Sequence, residues 1–462
     1  MRTATVNIES VRHTGLRADA SYHLSEGQDA RRAVERSPYP LTTVGEVTKE
    51  IFYGTRAKRV YVNKRENGIP FLSSSDIMSA NLENVKLASR KYTPDIERMT
   101  LQEGWTLISR SGTVGNCAYA TGRHAQKLAS EHVIRVAPGG HPNDILRGGM
   151  LYAYLASHYG HSLLTQGTFG AVIQHIEPSF IASLPIPVFP TSFQEEVDTL
   201  VKSAASLRDQ AAKDLEKAKQ LILDYCDTPF ISSNQKENII QSSKILHTLN
   251  TRFDAPVFIN DGVRWSSQQK RKTVNLGDCS IKMWYPGIFK RAYVEDGYPY
   301  IKGSELFLAN PFRQCQHLSR TKTPKIDQLW LKPDQLLISC AGACGLVKLI
   351  TKEYEDKKAI GSPDIIRLTS NDPLFTKEYL FAYLQLPAVY DCMQSFKYGS
   401  VIERFDIANM ETLPIVVPTE TLSADTTRIV VRYAAATYQA FCAESRAIAM
   451  VEQEIERWQT KK

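Results

Sequence analysis

The sequence has no Cys-x-x-Cys pair, no long apolar run and little imbalance of charge. Its eight cysteines, Cys117, Cys226, Cys279, Cys315, Cys340, Cys344, Cys392 and Cys442, are scattered over 462 residues. Structural zinc needs four ligands at short, paired spacing. The nearest pair, Cys340 and Cys344, brackets an Ala-Gly-Ala turn and has no companion pair. The expectation is therefore reduced core or turn thiols and no metal on this chain. No window offers about 18 uninterrupted apolar residues, which excludes a polytopic helical membrane protein. Met1 to Leu16 lacks the apolar core of a signal peptide, so a cytoplasmic chain is expected. The 56 Lys and Arg against 49 Asp and Glu leave a net charge of +7. That excess permits a polyanionic partner without requiring one. With 43% hydrophobic and 23% charged residues, the composition is globular, and collagen-like or wholly disordered readings are excluded.

Catalytic signatures are also missing. There is no Asn/Asp-Pro-Pro-Tyr/Phe run of the kind a base-flipping amino-methyltransferase needs; Asn310-Pro311-Phe312 lacks the second proline and reads as a turn. Neither glycine-rich phosphate cradle, G-x-G-x-x-G or G-x-x-x-x-G-K-[ST], occurs. His132, His158, His161 and His175 have no G-x-S-x-G elbow to serve and read as core or surface residues. One formal match remains. Asp334, followed by Glu355 and Lys357, fits the loose spacing of a nuclease core, in which two carboxylates hold a divalent ion and a lysine lies near the attacking water. Against it, Asp334 falls before a strand where the earlier Glu103-Gly104 turn does the same, and Lys352 to Lys358 reads as an exposed hairpin tip. A stand-alone metal-dependent endonuclease is the enzymatic alternative; a protein-only coiled-coil adaptor is the other.

What the chain does contain is itself, twice. Arg17-Ala-Asp-Ala20 recurs as Arg252-Phe-Asp-Ala255, Gly68-Ile-Pro-Phe-Leu72 as Gly297-Tyr-Pro-Tyr-Ile301, and Leu107-Ile-Ser-Arg-Ser-Gly-Thr-Val-Gly115 as Leu337-Ile-Ser-Cys-Ala-Gly-Ala-Cys-Gly345. Tyr152-Ala-Tyr-Leu155 returns as Phe381-Ala-Tyr-Leu384, Gly170-Ala-Val-Ile173 as Gly399-Ser-Val-Ile402, and Ser183-Leu-Pro-Ile-Pro187 as Thr412-Leu-Pro-Ile-Val416. The order is kept and the offset stays near ~230 residues, far too long for a solenoid repeat. The chain is two copies of one domain. Within a copy, Pro-Phe-Leu and Thr-Leu-Ile-Ser predict short buried strands. The Ser-Gly-Thr-Val-Gly stretch predicts a tight turn that uses glycine at positive φ. Tyr152 to Leu164 and Leu380 to Met393 have helical spacing. Each copy is therefore α+β.

Each copy is followed by a long amphipathic stretch. After Pro190, Ser192 and Glu195 predict a capping box. Val197, Leu200, Ala204, Leu207, Ala211, Leu215, Ala218 and Ile222 then form a heptad-like seam on a helix of roughly 33 residues, roughly 50 Å long. After Pro418, Ser423 is the expected N-cap, and Val430, Tyr433, Thr437, Phe441, Ser445, Ile448, Val451, Ile455 and Trp458 form the second stripe. Two such helices in matching places predict a mutual antiparallel coiled coil. The polar segment between Cys226 and His247 reads as a connector. The expected organisation is a first domain over 1–190, a helix over 191–225, a connector over 226–247, a second domain over 248–418 and a helix over 419–462.

This layout and its motifs resemble the DNA specificity (S) subunit of type I restriction–modification systems. The Arg-x-Asp-Ala opening, the Gly-x-Pro-Phe/Tyr strand, the Leu-Ile-Ser-x-x-Gly-x-x-Gly hairpin and the Leu-Pro-Ile-Pro exit into a helix all look like that family. Phe193-Gln194-Glu195 is close to its proline-then-Gln helix start, whereas Thr421 to Asp425 departs from it. The resemblance covers nearly the whole chain. It implies a non-catalytic prokaryotic subunit whose two target-recognition domains each read one half of a split, asymmetric DNA sequence. The helices would set the unread spacer and dock two DNA methyltransferase (modification) subunits, to which restriction–translocase subunits can be added. It implies no cofactor on this chain: S-adenosylmethionine, ATP and Mg belong to the partner subunits.

Most contacts to DNA position a protein on phosphates, and few read bases. Polar and basic residues near the glycine turns are the candidates. They are Lys64, Arg65, Arg110, Ser111, Gln166, Thr168 and Phe169 in the first copy, and Lys302, Arg320, Lys322, Lys325, Lys397 and Tyr398 in the second. On the helices, Val197, Leu200, Leu207, Leu215, Ile222, Val430, Phe441, Ile448, Ile455 and Trp458 are the expected partner-binding positions.

Overall fold

The computed structural model describes residues 8, 23–83, 85–139, 145–168, 175–231 and 256–460. The Arg17 and Arg252 openings, Phe169, Gly170-Ala-Val-Ile173 and most of the 226–247 connector lie outside the described residues. The chain divides into two compact units, one of residues 1–209 with 439–462, the other of residues 210–438.

In the first unit the strands are β1 (Leu41–Thr43), β2 (Thr48–Tyr53), β3 (Tyr61–Val62), β4 (Gly68–Leu72), β5 (Leu87–Ser89), β6 (Thr106–Ser109), β7 (Cys117–Tyr119), β8 (Leu128–Ala129), β9 (Val133–Pro138) and β10 (Pro185–Pro187). Its helices are α1 (Glu26–Glu35), α2 (Gly148–Ala156), α3 (His158–Gln166) and α4 (Pro178–Ala182), leading into α5 (Thr191–Cys226). A four-stranded antiparallel sheet runs in the order β2-β9-β6-β7. A second sheet runs β3-β5-β4-β8 with a parallel β4–β8 pair, and β1 pairs with β10. Strand side chains alternate between faces. Ile108, Ile134 and Val136 accordingly enter the core shared with α2 and α3, while Leu107 and Val133 face Leu72 and Ala129 of the second sheet.

The second unit repeats this plan with β11 (Thr273–Asn275), β12 (Ile281–Trp284), β13 (Tyr293–Val294), β14 (Tyr298–Ile301), β15 (Gln316–Leu318), β16 (Leu336–Ser339), β17 (Val347–Leu349), β18 (Ile360–Gly361), β19 (Ile365–Ser370) and β20 (Pro414–Val416). Its helices are α6 (Asp261–Ser267), α7 (Lys377–Leu384), α8 (Pro387–Ser395), α9 (Ile407–Glu411) and α10 (Glu420–Thr460). The sheets run β12-β19-β16-β17, β13-β15-β14-β18 with a parallel β14–β18 pair, and β11-β20. Strand order, strand sense and even the β6–β9 register are kept: Leu107 faces Arg135 as Leu337 faces Arg367.

Those two arginines fasten the sheets together. Arg135 is fully buried on the β9 face that meets the second sheet. Its guanidinium donates to the carbonyls of Ser130 (3.0 Å), Val133 (2.6 Å), Met99 (3.1 Å) and Ala129 (2.6 Å). Arg367 donates to Gln328 (2.8 Å), Trp330 (3.2 Å), Leu329 (2.9 Å) and Gly361 (3.5 Å). Burial pulls each guanidinium down to about 10.

Several local expectations need correction. The apolar run from Tyr152 to Leu164 is two helices, because Ser157 is extended (φ −64°, ψ 164°) and caps α3 by accepting from the Gly160 N–H. The run from Leu380 to Met393 breaks likewise before Pro387, which has no N–H to continue a helix and starts α8 at its first turn. Ser192 and Glu195 form no capping box, since α5 already begins at Thr191. Gln194 instead donates to the Phe189 and Ile145 carbonyls, and Glu195 pairs with Arg147. Ser423 lies inside α10; the residue that accepts from the first turn is Thr419, from the Leu422 N–H at 3.2 Å. Lys352 to Lys358 is no exposed hairpin tip. Lys352–Asp356 is a short helix whose Tyr354 ring is fully buried against Phe312.

The two long helices, 36 and 41 residues or about 54 and 62 Å at 1.5 Å per residue, pack together. In the first unit the start of α5 and the end of α10 share a core through Val197, Val201, Ala205, Ala447, Val451, Ile455 and Trp458. In the second unit the end of α5 and the start of α10 do so through Ala218, Ile222, Ile429 and Val430. Buried carboxylates cross these seams. Glu444 accepts from Arg208 (2.9 Å) and from the Tyr152 hydroxyl, and Asp214 accepts from Arg432 (2.9 Å). Among the described residues no helix is long and apolar enough to cross a membrane.

Two stability predictions follow from these contacts. Arg135→Met leaves four buried carbonyls short of a donor, at about 1–3 kcal/mol for each group left unsatisfied. The expected loss in urea unfolding is on the order of 3 kcal/mol or more. Arg135→Lys should recover only part of it, because an ammonium lacks the planar fork. The second concerns His124, buried with Nδ1 facing the Thr121 N–H (3.2 Å) and Nε2 near the Ile77 carbonyl (3.3 Å), and pushed by burial down to about 4. The unfolded chain takes up this proton near the ordinary imidazole value and the folded chain does not. Stability should therefore be complete above that value and fall with acidification towards pH 4, by about 2 kcal/mol at pH 5. Denaturation at pH 7 and pH 5 should show that difference in the wild type and a smaller one in His124→Gln.

Candidate nucleic-acid interface

The glycine turns lie at one end of each unit's large sheet. In the first unit the turn joins β6 to β7, with Gly112 and Gly115 at φ +82° and +84°. Gly115 is also pressed onto α3: a Cβ there would come within 3.1 Å of Thr165 and 3.3 Å of His161. In the second unit Gly342 and Gly345 have φ +71° and +85°, and a Cβ on Gly345 would meet the Gln394 amide at 2.9 Å on α8. Only glycine fits both the left-handed backbone and the close approach.

Around the first turn, the Arg110 N–H donates to the His132 carbonyl (2.8 Å), the Ile176 N–H donates to the Arg110 carbonyl (3.3 Å), and Ser111 bridges to His175. The Ser111 hydroxyl and His132 Nδ1 share a 2.6 Å hydrogen bond, and the His132 ring stacks over His175 at 6.5 Å. Arg110 lies over the Tyr53 ring at 4.4 Å and pairs with Glu177. Glu131 accepts from Arg59 at 2.8 Å, and Arg59 stands over Phe71 at 5.4 Å. Burial, helped by Arg59, Arg110 and His175, holds His132 below the ordinary imidazole value although Glu131 opposes it. Burial disfavours the Glu131 carboxylate too, but hydrogen bonds, the one from Arg59 foremost, outweigh it and leave that group below its usual range.

The second turn has the same frame. The Phe405 N–H donates to the Cys340 carbonyl (3.0 Å), Ala341 bridges to Arg404, and the Gly342 N–H donates to the Glu403 carbonyl (3.0 Å). Arg291 stands over Tyr300 at 5.7 Å and near Asp364 at 3.9 Å, as Arg59 does over Phe71 and beside Glu131. Tyr398 and Arg404 exchange both backbone hydrogen bonds (2.8 and 2.9 Å), closing a loop that carries Val401 and Ile402 outward.

Of the residues singled out from the sequence, Arg110, Ser111, Lys397 and Tyr398 belong to these turn ends. Lys397 pairs with Glu403, and the Tyr398 hydroxyl donates to Asp406 at 3.2 Å. Ser111 and Gln166 are buried, and Thr168 is half-buried beside α3. Lys64 and Arg65 are exposed on the link between β3 and β4, opposite Glu66 and Glu83. Lys302 caps a short helix after β14 and faces Glu305. Arg320 pairs with Asp296 (2.9 Å) over Tyr298, and Lys322 and Lys325 are exposed in the same loop. On the helices, Val197, Ile222, Val430, Phe441, Ile455 and Trp458 are buried, and Leu200, Leu207, Leu215 and Ile448 are half-buried. The outward face of α10 carries Val431, Arg432, Ala435, Cys442 and Arg446. Glu355 and Lys357 are exposed, and no group of three His, Cys, Asp or Glu among the described residues is placed to hold a metal ion.

Arg59, Tyr53, Arg291, Asp364 and Arg404 escaped the sequence reading, and His132 and His175, read there as core or surface residues, lie at the first turn end. A signal for some of them was there. Arg59-Val-Tyr-Val62 recurs as Arg291-Ala-Tyr-Val294, and Val133-Ile-Arg-Val136 as Ile365-Ile-Arg-Leu368.

No family model and no curated protein matches the chain. Among solved structures it is similar to the type I restriction–modification system S subunit from M. genitalium, at 13% identity and a TM-score of 0.35, over 91% of this chain and 96% of that one. It is also similar to the HsdS subunit from Thermoanaerobacter tengcongensis, at 12% identity and a TM-score of 0.28, over the same shares of each chain.

Proposed function

We propose that this chain is a non-catalytic DNA specificity subunit of a type I restriction–modification system. One observation carries the reading: the same three sheets, in the same strand order, occur twice in one chain and end in turn regions of different chemistry. Two related but unlike readers on one duplex suit a split, asymmetric target. Their half-sites must then keep a fixed helical separation, as in any dimeric reader. The paired helices α5 and α10 act as an antiparallel coiled coil that holds that separation. Their outward faces dock two DNA methyltransferase subunits and, in systems that cut, restriction–translocase subunits. S-adenosylmethionine, ATP and Mg are held by those partners. The subunit works in the prokaryotic cytoplasm.

The test is to co-express the chain with its modification subunit and map methylated positions by single-molecule sequencing. A motif with two unlike halves and a constant gap is expected, and exchanging residues 1–190 for those of another such subunit should change one half only. A continuous motif, or methylation that proceeds without this chain, would sink the reading. Binding of the assembled complex to its site should weaken steeply between 50 and 200 mM salt, by roughly 10³-fold or more for six or more phosphate contacts. Salt-insensitive assembly without retained DNA is the outcome a protein-only adaptor would give. Metal-dependent cutting by the chain alone, lost in Asp334→Asn, is what a nuclease would give.

A further inference from the structure

The duplication provides two solutions of one backbone frame, and comparing them separates what the fold needs from what varies. Inside, equivalent positions keep their type: Arg135 and Arg367 on the carbonyl clamps, Phe71 and Tyr300 under Arg59 and Arg291, Gly115 and Gly345 in the turns. At the turn end the backbone contacts are also kept. The Arg110 and Cys340 carbonyls accept from Ile176 and Phe405, and the Ser111–His175 bridge matches Ala341–Arg404. The side chains on that kept frame are different. Arg110 stands where the second unit has Cys340, Ser111 where it has Ala341, His132 where it has Asp364, and His175 where it has Arg404.

We infer that the positions of His132 and His175 in the first unit, and of Asp364 and Arg404 in the second, determine which bases each unit accepts. The inference rests on the two-reader function proposed above and assigns its specificity to side chains. The His132 and Asp364 N–H groups donate to equivalent serines, Ser130 and Ser362, and His175 and Arg404 hold the same bridge. Positions held so alike, whose side chains change from imidazole to carboxylate or to guanidinium, are not under a packing constraint. In the second unit Arg404 is exposed and the Asp364 side chain is 68% exposed. A guanidinium fork matches O6 and N7 of guanine, and a carboxylate accepts from N4 of cytosine. Val401 and Ile402, 93% and 65% exposed on the loop closed by Arg404, supply apolar surface of the kind that meets a thymine methyl. In the first unit the Ser111 hydroxyl holds His132 Nδ1, and Glu131 lies 3.5 Å from Nε2, so the polar groups offered to a base differ from those of the second unit.

The test uses the full chain assembled with its modification subunit, with methylated motifs mapped for the wild type and for Arg404→Gln, Asp364→Asn and His132→Ala. A bidentate base contact is worth about 1–3 kcal/mol of discrimination, so methylation at the original motif should fall on the order of 10-fold or more. The preferred base should change at one position in one half for Arg404→Gln and Asp364→Asn, and in the other half for His132→Ala. Should Arg404→Gln melt below the wild type, Arg404→Lys keeps the charge without the fork and should give the same altered position. A split wild-type motif that stays unchanged in variants of unchanged melting temperature would overturn this assignment and leave the two-reader function standing. Absence of a split motif in the wild type would overturn that function itself and this assignment with it.

Discussion

Each copy of the fold is held together by one buried arginine. Arg135 and Arg367 sit on buried strands with guanidinium groups facing the second sheet, and the terminal nitrogens of each donate to four main-chain carbonyls. A buried charge is costly without hydrogen bonds, so the carbonyls that accept from these terminal nitrogens are committed to one geometry. That geometry places β8 beside β4 and β18 beside β14, and carries Glu131 and Asp364 to the turn ends, where Arg59 and Arg291 meet them. The turn ends are therefore fixed by a clamp several residues behind them. This arrangement leaves the surface side chains free to differ between the copies.

The helices impose the second constraint. The first unit is not one continuous stretch of chain, since it takes in residues 439–462 at the end of α10, and the second, residues 210–438, begins inside α5. The seams are rich in alanine, with Ala204, Ala205, Ala211 and Ala218 on α5 and Ala436, Ala440 and Ala447 on α10, all buried. Small side chains let helix backbones approach closely. The buried Glu444 and Asp214 then have partners that only the correct register supplies, Arg208 with Tyr152 and Arg432. Breaking one partner of a buried pair is more costly than never having had it, so these contacts penalise slipped registers. A fixed register is what the proposed spacer-setting role would require.

Much of the architecture was legible because duplication turns one sequence into its own comparison. The Gly-x-Pro strands, the Leu-Ile-Ser turns and the Leu-Pro-Ile exits mark β4 and β14, β6 and β16, and β10 and β20. The site was legible only in part. Arg110, Ser111, Lys397 and Tyr398 were placed at the turn ends from the sequence because they adjoin the glycine turns. His132, His175, Asp364 and Arg404 were not, because they reach the turn from β8–β9, β18–β19 and the loops before α4 and α9, and sequence distance hides that meeting. Gln166 looked like a base reader by type, yet it is buried beside α1, where Gly27 leaves no room for more than a hydrogen.

By itself the sequence determined the two-fold repeat, the α+β class, the long helices and the glycine turns. The repeat follows from motifs recurring in one order across the chain, and the rest from local periodicity and from glycine being the one residue that takes positive φ cheaply. Helix ends went beyond it: Ser157 and Pro387 divide runs whose apolar spacing is continuous, and Thr419 displaces Ser423 as the cap. Only the tertiary structure decided which helix segment completes which unit, which arginines are buried, and which side chains meet at each turn end. Those outcomes depend on contacts between residues tens to hundreds of positions apart, where burial and hydrogen-bond satisfaction outweigh any preference a residue shows within its own stretch of chain.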